Sequence, residues 1–465
     1  MATSTIELPA LPAPAEQPGN AIERRRRRSS SSSRDESGGA NRLLGELAGA
    51  GSEPCSTPAV RAAEKWNEPR RNPYRLGAAF WCFLVMGAND AAYGALIPYL
   101  EADYHLGYVV VSLVFLSPLV GYVSSAMLNN RLHHRLGRRG VAAVCGASHL
   151  AAYAVIAAHP PYAVLVFAFI LAGFGNGVAD AAWNAWVGSL ANSSELLGFL
   201  RSFCGVGGVV SPLVATTLVT KANMPWHSFY YIMIGLAGLE LAGLPWAFWD
   251  STGAAYRAVY RDNEVEREAG LRDALFRSPA ARLSWVAALF LLCYVGVEVA
   301  LGGWIVVFML RERHGEAFAS GMSAVGFWLG ITVGRAVLGF VTPRMGVKLS
   351  SAVYIGAAMA LELVFWLVPQ FYVSAVAVSL QGFFLGPLFP NAVLAASKLL
   401  PRHQHVVVIG FAAAFGGCGA AVLPFLTGIL AQSSGVTVLQ PVVLSLLGTM
   451  LVIWLCLPRT EKKEE

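Results

Sequence analysis

Twelve long apolar stretches, separated by short polar links, constrain the fold of this 465-residue chain more than any other feature. Each stretch holds the roughly 20 apolar residues that a helix needs to cross the hydrocarbon core of a bilayer. Only 13% of the residues are charged and 55% are hydrophobic, an apolar excess that a water-soluble protein could not bury. The chain is therefore predicted to be an all-α membrane protein with twelve transmembrane helices. The predicted spans are residues 75–100, 107–129, 140–159, 162–190, 198–220, 227–249, 283–309, 318–342, 349–368, 371–396, 406–430 and 437–457.

The polar segments divide the chain into five parts. The first part holds five consecutive arginines, Arg24 to Arg28, followed by five serines, and it lacks an apolar period. Such a segment is expected to be disordered. An arginine run can also bind nucleic acid, but beside a membrane domain it favours a cytoplasmic tail near anionic lipid and no nucleic-acid partner. The predicted parts are a tail (1–72), a six-helix half (73–249), a central cytoplasmic loop (250–282), a second six-helix half (283–458) and a short cytoplasmic tail (459–465).

Lysine and arginine are concentrated in the even-numbered links, which predicts the orientation of the chain. The link after span two alone carries Arg131, Arg135, Arg138 and Arg139, whereas all the odd-numbered links together carry Lys221, Arg311 and Arg313. Cytoplasmic links are enriched in these residues. Both termini are therefore expected in the cytoplasm, and a multi-pass protein of the plasma membrane is favoured over one of an organelle membrane.

The two groups of six spans repeat each other. Gly198, Phe199, Phe203 and Pro212 of span five recur in span eleven at one constant offset. Span one has Asp90 four residues before Gly94, and span seven has Glu298 four residues before Gly302. Packing of small residues explains single glycines in membrane helices but not a shared offset. The chain is therefore predicted to consist of two pseudo-symmetric halves, an arrangement in which transporters bind their solute between the halves near the midplane.

Several motifs resemble those of a known family. The Arg135–Arg139 link resembles the cytoplasmic loop motif of the major facilitator superfamily, with His134 at its usual acidic position. Asn89-Asp90 in span one and Phe389-Pro390-Asn391 in span ten resemble the fucose–proton symporter branch, and residues 73–458 resemble fungal permeases of the bypass-of-stop-codon type. The resemblance implies the major facilitator fold. It also implies a role for Asp90 in transport, and it places Glu240 and Glu362 on peripheral spans with structural roles.

Ionisable residues inside the spans are costly and therefore candidates for function, because a charge at the bilayer centre costs roughly 2.5–3.5 kcal/mol. Three carboxyl groups, Asp90, Asp180 and Glu298, are the candidates for proton coupling, since a carboxyl group at this depth can bind and release a proton as its access to water changes. The alternative for Asp90 is a neutral, purely structural group bound to a neighbouring backbone carbonyl. The alternative for Asp180, as for Asn176 and Asn184, is an interhelical hydrogen-bond clamp. Polar neighbours are the candidates for binding a solute: Asn89, Tyr93, Asn176, Asn184, Tyr294, Gln381 and Asn391.

The arginines within and between the spans are expected to have different roles. Arg335 lies inside span eight and is expected to pair with a carboxylate. Arg135, Arg138, Arg139 and Arg344 either set the topology or form a gate that pairs across the interface between the halves.

The leading hypothesis is a secondary transporter that moves a small polar, sugar-like solute with protons by alternating access. An efflux transporter of a hydrophobic metabolite and a non-transporting receptor or scaffold on the same fold are the alternatives. No phosphate-binding loop, hydrolase nucleophile motif or metal motif is found, so the sequence predicts no enzyme, cofactor or metal. The expected partners are the lipid bilayer, the solute and protons, with the monomer as the functional unit.

Overall fold

The computed structural model of the protein describes residues 64–260, 280–399 and 405–457, and the regular structure of these residues is helical apart from one isolated bridge at Lys65–Glu68. The residues 1–63 of the predicted tail, 261–279 of the central loop and the C-terminal tail lie outside them. The long helices of the first half are Asn72–Asp103, Leu113–Ala157, Tyr162–Gly188, Ser193–Thr220 and Phe229–Ala247. Those of the second half are Ala280–Arg311, Ala317–Met345, Val347–Leu367, Phe371–Leu385, Leu388–Leu399, His405–Ser434 and Leu439–Cys456. Shorter helices are Tyr108–Val111, Trp226–Ser228, Gly253–Tyr260 and Val436–Val438.

Among these residues, eleven helical segments are long and apolar enough to cross a membrane. One of them, Tyr108–Ala157, is 50 residues long. At 1.5 Å per residue it would reach roughly 75 Å, more than twice the thickness of the hydrocarbon core. The backbone breaks inside it at Gly137, where φ is 68° and ψ is −176°. The two arms of this segment are the second and third predicted spans, so the prediction of an all-α fold with twelve crossings is confirmed.

Glycine is required at this turn. Its positive φ is a conformation that side chains with a Cβ rarely adopt, and a Cβ at Gly137 would lie 2.2 Å from the carbonyl carbon of Thr252. The link after span two thus packs against the start of the central loop, directly after span six.

The two halves meet at the end of the bundle remote from the basic links. We call the end that carries Arg135, Arg138 and Arg139 the basic end, and the other the opposite end. Arg311 Nη2 donates to Glu101 Oε1 across the halves at 3.2 Å, and the Val109 amide donates to Gln432 at 3.4 Å.

Spans one and seven cross closely just inside this contact. A Cβ at Gly94 would lie 1.9 Å from the carbonyl oxygen of Gly302. The crossing therefore tolerates only glycine at position 94, and it closes the space between the halves on the side of the opposite end.

Candidate functional site

A polar cluster centres on Asp90 in the middle of span one. The Asn89 and Asn176 amides both donate to Asp90 Oδ1, at 3.1 and 3.0 Å. Asn89 Nδ2 also lies 2.7 Å from the Tyr93 hydroxyl. Asp90 is exposed although both of its chain neighbours are buried. Asp90 lies one turn from Gly94 toward the basic end. From this position we infer that its exposed surface faces a space between the halves, which we call the central opening.

Behind Asp90, buried polar side chains continue the cluster away from the opening. His149 Nε2 of span three lies 3.0 Å from Asn176 Oδ1, and His149 Nδ1 lies 3.1 and 3.0 Å from the two carboxylate oxygens of Glu240 in span six. The exposed fractions of His149 and Glu240 are 0% and 1%. Four side chains from four spans thus form one hydrogen-bonded chain from the central opening into the first half.

The second acidic candidate, Asp180, forms an ion pair with Arg201 of span five. Arg201 Nη2 lies 3.1 Å from Asp180 Oδ1, and Asn184 donates to the same oxygen at 2.8 Å. About a third of each charged side chain is exposed, 37% for Arg201 and 33% for Asp180. The Arg201 guanidinium also lies 5.9 Å from the ring of Phe389 in the other half. This pair therefore belongs to the wall of the central opening.

The third candidate, Glu298, forms the corresponding pair in the second half. Arg335 Nη2 of span eight donates to Glu298 Oε1 at 2.9 Å and lies 3.5 Å from the Tyr294 hydroxyl, while its Nε donates to the Gly386 carbonyl at 3.3 Å. Glu298 is 9% exposed and Arg335 27%. Arg335 is thus paired with a carboxylate, and the pair presents mainly its cation to the opening.

Two solute-binding candidates of span ten lie elsewhere. Gln381 is buried and donates to Glu362 of span nine at 2.8 Å, and Asn391 donates to Ser351 of the same span at 3.0 Å. Both amides are therefore turned toward span nine, away from the pairs at the central opening. Sequence periodicity places them opposite span four but does not fix the rotation of the helix.

The basic link contacts the end of span six and the start of the central loop. The Arg139 guanidinium lies 3.2 Å from the centre of the Trp249 ring, and the Arg139 amide donates to Ser251 at 3.1 Å. Arg257 donates to the backbone carbonyl of His134. Arg344, in the corresponding link of the second half, is exposed. Arg139 therefore contacts Trp249 and Ser251 in this arrangement, rather than a residue of the other half as a gate would require.

Sequence reasoning missed His149, Arg201 and Glu240 as members of the site. All three are ionisable residues within spans, so the cost of burying charge singles them out. Their partners could not be found that way, since the partners lie on other spans.

Two thiols and one carboxylate lie close together in the first half. Cys82 Sγ, Cys145 Sγ and a Glu240 oxygen lie within 4.8 Å of one another, and all three residues are buried. Cys145 Sγ lies 3.3 Å from Glu240 Oε1 and 3.9 Å from Cys82 Sγ. Hydrogen bonds among these groups and with His149 account for the cluster.

Comparison with known proteins agrees with this architecture. A sequence model of the Major Facilitator Superfamily matches residues 79–369 and 317–465. The chain is 31% identical over 418 residues to Bypass of stop codon protein 6 of Saccharomyces cerevisiae, covering 82% of both proteins. It is 22% identical over 369 residues to the glucose/mannose transporter GlcP of Bacillus subtilis, covering 77% of this chain and 88% of GlcP.

A solved structure shares the fold. The E. coli fucose:proton symporter FucP superimposes with a TM-score of 0.57 at 15% identity, over 82% of this chain and 97% of FucP. The family model spans most of the two halves, and the relative GlcP is a transporter rather than an enzyme. The chain is a multi-pass membrane transporter and belongs to the Major Facilitator Superfamily.

Proposed function

We propose that this transporter moves a small polar, sugar-like solute together with protons, and that Asp90 carries the coupled proton. The observation that carries the proposal is a carboxyl group at mid-span that reaches the central opening and accepts hydrogen bonds from two amides. An intramembrane carboxyl group with access to an opening is typical of proton relays in transporters.

The wall of the opening suits a solute that carries hydroxyl groups. The Asp180–Arg201 and Glu298–Arg335 pairs offer carboxylate acceptors and guanidinium donors from both halves. A polyhydroxyl solute can satisfy both kinds of group, whereas an apolar solute would cover them without replacing their water. The sequence similarity to a glucose/mannose transporter supports the same solute class.

Protonation of Asp90 would favour closure around the solute. An ionised carboxylate prefers water, so closing the opening over it is costly, and neutralising it removes much of that cost. We further propose that the basic end faces the cytoplasm, as the distribution of lysine and arginine suggests. The described arrangement, in contact at the opposite end, would then be the form that exchanges solute and proton with the cytoplasm.

Entrance counterflow in proteoliposomes tests this proposal, because solute exchange in this assay needs no proton gradient. Liposomes loaded with a hexose should take up the same radiolabelled hexose, whereas liposomes loaded with an apolar aromatic compound should show no exchange of that compound. Asp90→Asn should retain hexose exchange but lose uphill accumulation driven by an imposed pH gradient. Exchange of apolar compounds alone would contradict the solute class, and gradient-driven accumulation by Asp90→Asn would contradict the role of Asp90.

A further inference from the structure

We propose that His149 and Glu240 form a second, buried proton-binding site, which acts on Asp90 through the orientation of the Asn176 amide. The inference rests on the proposed role of Asp90 as the carrier of the coupled proton. His149 and Glu240 are positioning residues in this proposal, since they do not reach the central opening.

The first step concerns the proton count of the buried pair. Asn176 Nδ2 donates to Asp90, so its oxygen is left to accept a hydrogen from His149 Nε2. A neutral histidine with its hydrogen on Nε2 would direct a bare Nδ1 at both oxygens of the Glu240 carboxylate, an unfavourable contact. One further proton between Nδ1 and Glu240 removes this conflict. The pair then has no net charge, as a buried site requires.

The second step concerns what this proton does to the ring. If the proton resides on Glu240, the ring keeps its own hydrogen on Nε2. If it resides on Nδ1, the ring is an imidazolium with hydrogens on both nitrogens. In either case Nε2 is a hydrogen-bond donor, which fixes the Asn176 oxygen toward His149.

The third step links the pair to Asp90. With its oxygen held by His149, Asn176 can present only its NH2 group to Asp90, and a donor of this kind favours the ionised carboxylate. Loss of the shared proton would leave a hydrogen on Nδ1, facing Glu240, and a bare Nε2. The Asn176 amide would then turn, and its oxygen would accept a hydrogen from protonated Asp90. The two sites therefore bind protons in competition.

The surroundings hold few other charges. The Asp180–Arg201 ion pair is the charged group facing Asp90 from spans four and five. The remaining titratable groups near the hydrogen-bonded chain are phenols and thiols, which are neutral near pH 7. They are Tyr93, Tyr122, Tyr153, Tyr230, Cys82, Cys145 and Cys204.

The buried carboxyl group of the second half provides a matched control. Glu362 is also fully buried and accepts one hydrogen bond, from Gln381. Among the described residues that contact does not continue to Glu298, since Gln381 Oε1 has no partner. A substitution of Glu362 removes a buried carboxyl group without touching the chain to Asp90.

Infrared spectroscopy of the full chain in lipid tests the inference without a solute. The C=O stretch of a protonated carboxyl group is titrated with pH, and the band that Asp90→Asn removes is assigned to Asp90. In Glu240→Ala the Asn176 amide is free to turn. The titration midpoint of this band should therefore rise by about one pH unit. A shift of this size corresponds to the net free energy of about one hydrogen bond, here the one that the turned amide would accept from protonated Asp90. The double variant His149→Leu, Glu240→Leu removes both members of the buried pair, so neither remains as an unpaired charge. The Asn176 amide is then no longer held by His149, and the same rise is expected.

Glu362→Ala should leave the midpoint at the wild-type value. Equal midpoints in the wild type and both test variants, or a shift to lower pH, would overturn the role of the pair alone. A spectrum in which Asp90→Asn removes no titrating band would instead contradict the proposed function.

Discussion

At the residue scale, most of the intramembrane charges are neutralised by a partner on another span. Asp180 pairs with Arg201, Glu298 with Arg335, and Glu240 with His149. Asp90 differs, because its partners are two neutral amides. Among the described residues, Asp90 is therefore the acidic candidate whose carboxylate is hydrogen-bonded without being paired with a cation.

The two arginine pairs should differ in what they contribute to stability. Glu298 is 9% exposed, so Arg335→Ala would leave an unpaired buried carboxylate and cost about 3 kcal/mol of unfolding free energy. Arg201→Ala removes the partner of a carboxylate that is a third exposed, and it should cost about 1 kcal/mol or less.

Thermal unfolding in detergent measures this difference in stability. A double variant that combines Arg335→Ala with Glu298→Gln is the matched control. The double variant should recover much of the stability, because no unpaired charge remains. Equal losses for Arg201→Ala and Arg335→Ala would show that the Glu298 pair is not the buried one.

The sequence identified which residues could carry function but not how they combine. The cost of a charge in lipid marks Asp90, Asp180 and Glu298 as candidates, but it marks Glu240, Arg335 and Glu362 as well. Whether a side chain meets the opening or another helix depends on helix rotation, which no periodicity specifies. Gln381 and Asn391 face span nine for that reason.

At the element scale, the breaks in the helices follow from single residues. Gly137 makes the turn between spans two and three, where only glycine adopts the backbone conformation without strain. The predicted span 371–396 is divided into Phe371–Leu385 and Leu388–Leu399 at Pro387, which has no backbone N–H to donate. The presence of glycine and proline predicts that some helices break. It does not predict at which of these residues a break occurs.

The crossing of spans one and seven should depend on Gly94. A methyl group there would lie 1.9 Å from the Gly302 carbonyl oxygen, so Gly94→Ala should force the spans apart and prevent contact at the opposite end. We expect counterflow to fall roughly tenfold, since overpacking costs roughly 1–3 kcal/mol. Gly77→Ala on the same helix is the control, because nothing lies within 4 Å of a Cβ there. A normal rate for Gly94→Ala would show that this crossing is not needed for transport.

At the scale of the whole molecule, the repeat explains why the two halves hold related groups. Asp90 and Glu298 occupy equivalent positions before Gly94 and Gly302, yet only Glu298 has an arginine partner. The repeat could be predicted from shared offsets along the chain. The end at which the halves touch could not be predicted, because the same sequence adopts both the arrangement open at one end and the arrangement open at the other.

The asymmetry between the halves assigns different tasks to them. The first half holds the carboxyl group without a cation and the buried chain behind it, so we propose that proton coupling resides there. The second half contributes the Glu298–Arg335 pair, and we propose that its guanidinium is a hydrogen-bond donor for the solute.

The most direct test of this account is solute-driven proton movement in proteoliposomes that enclose a pH-sensitive dye. Adding a transported hexose outside, without an imposed gradient, should acidify the lumen in the wild type and leave its pH unchanged in Asp90→Asn, while both proteins exchange hexose in counterflow. Equal acidification by the two proteins would contradict the assignment of the coupled proton to Asp90.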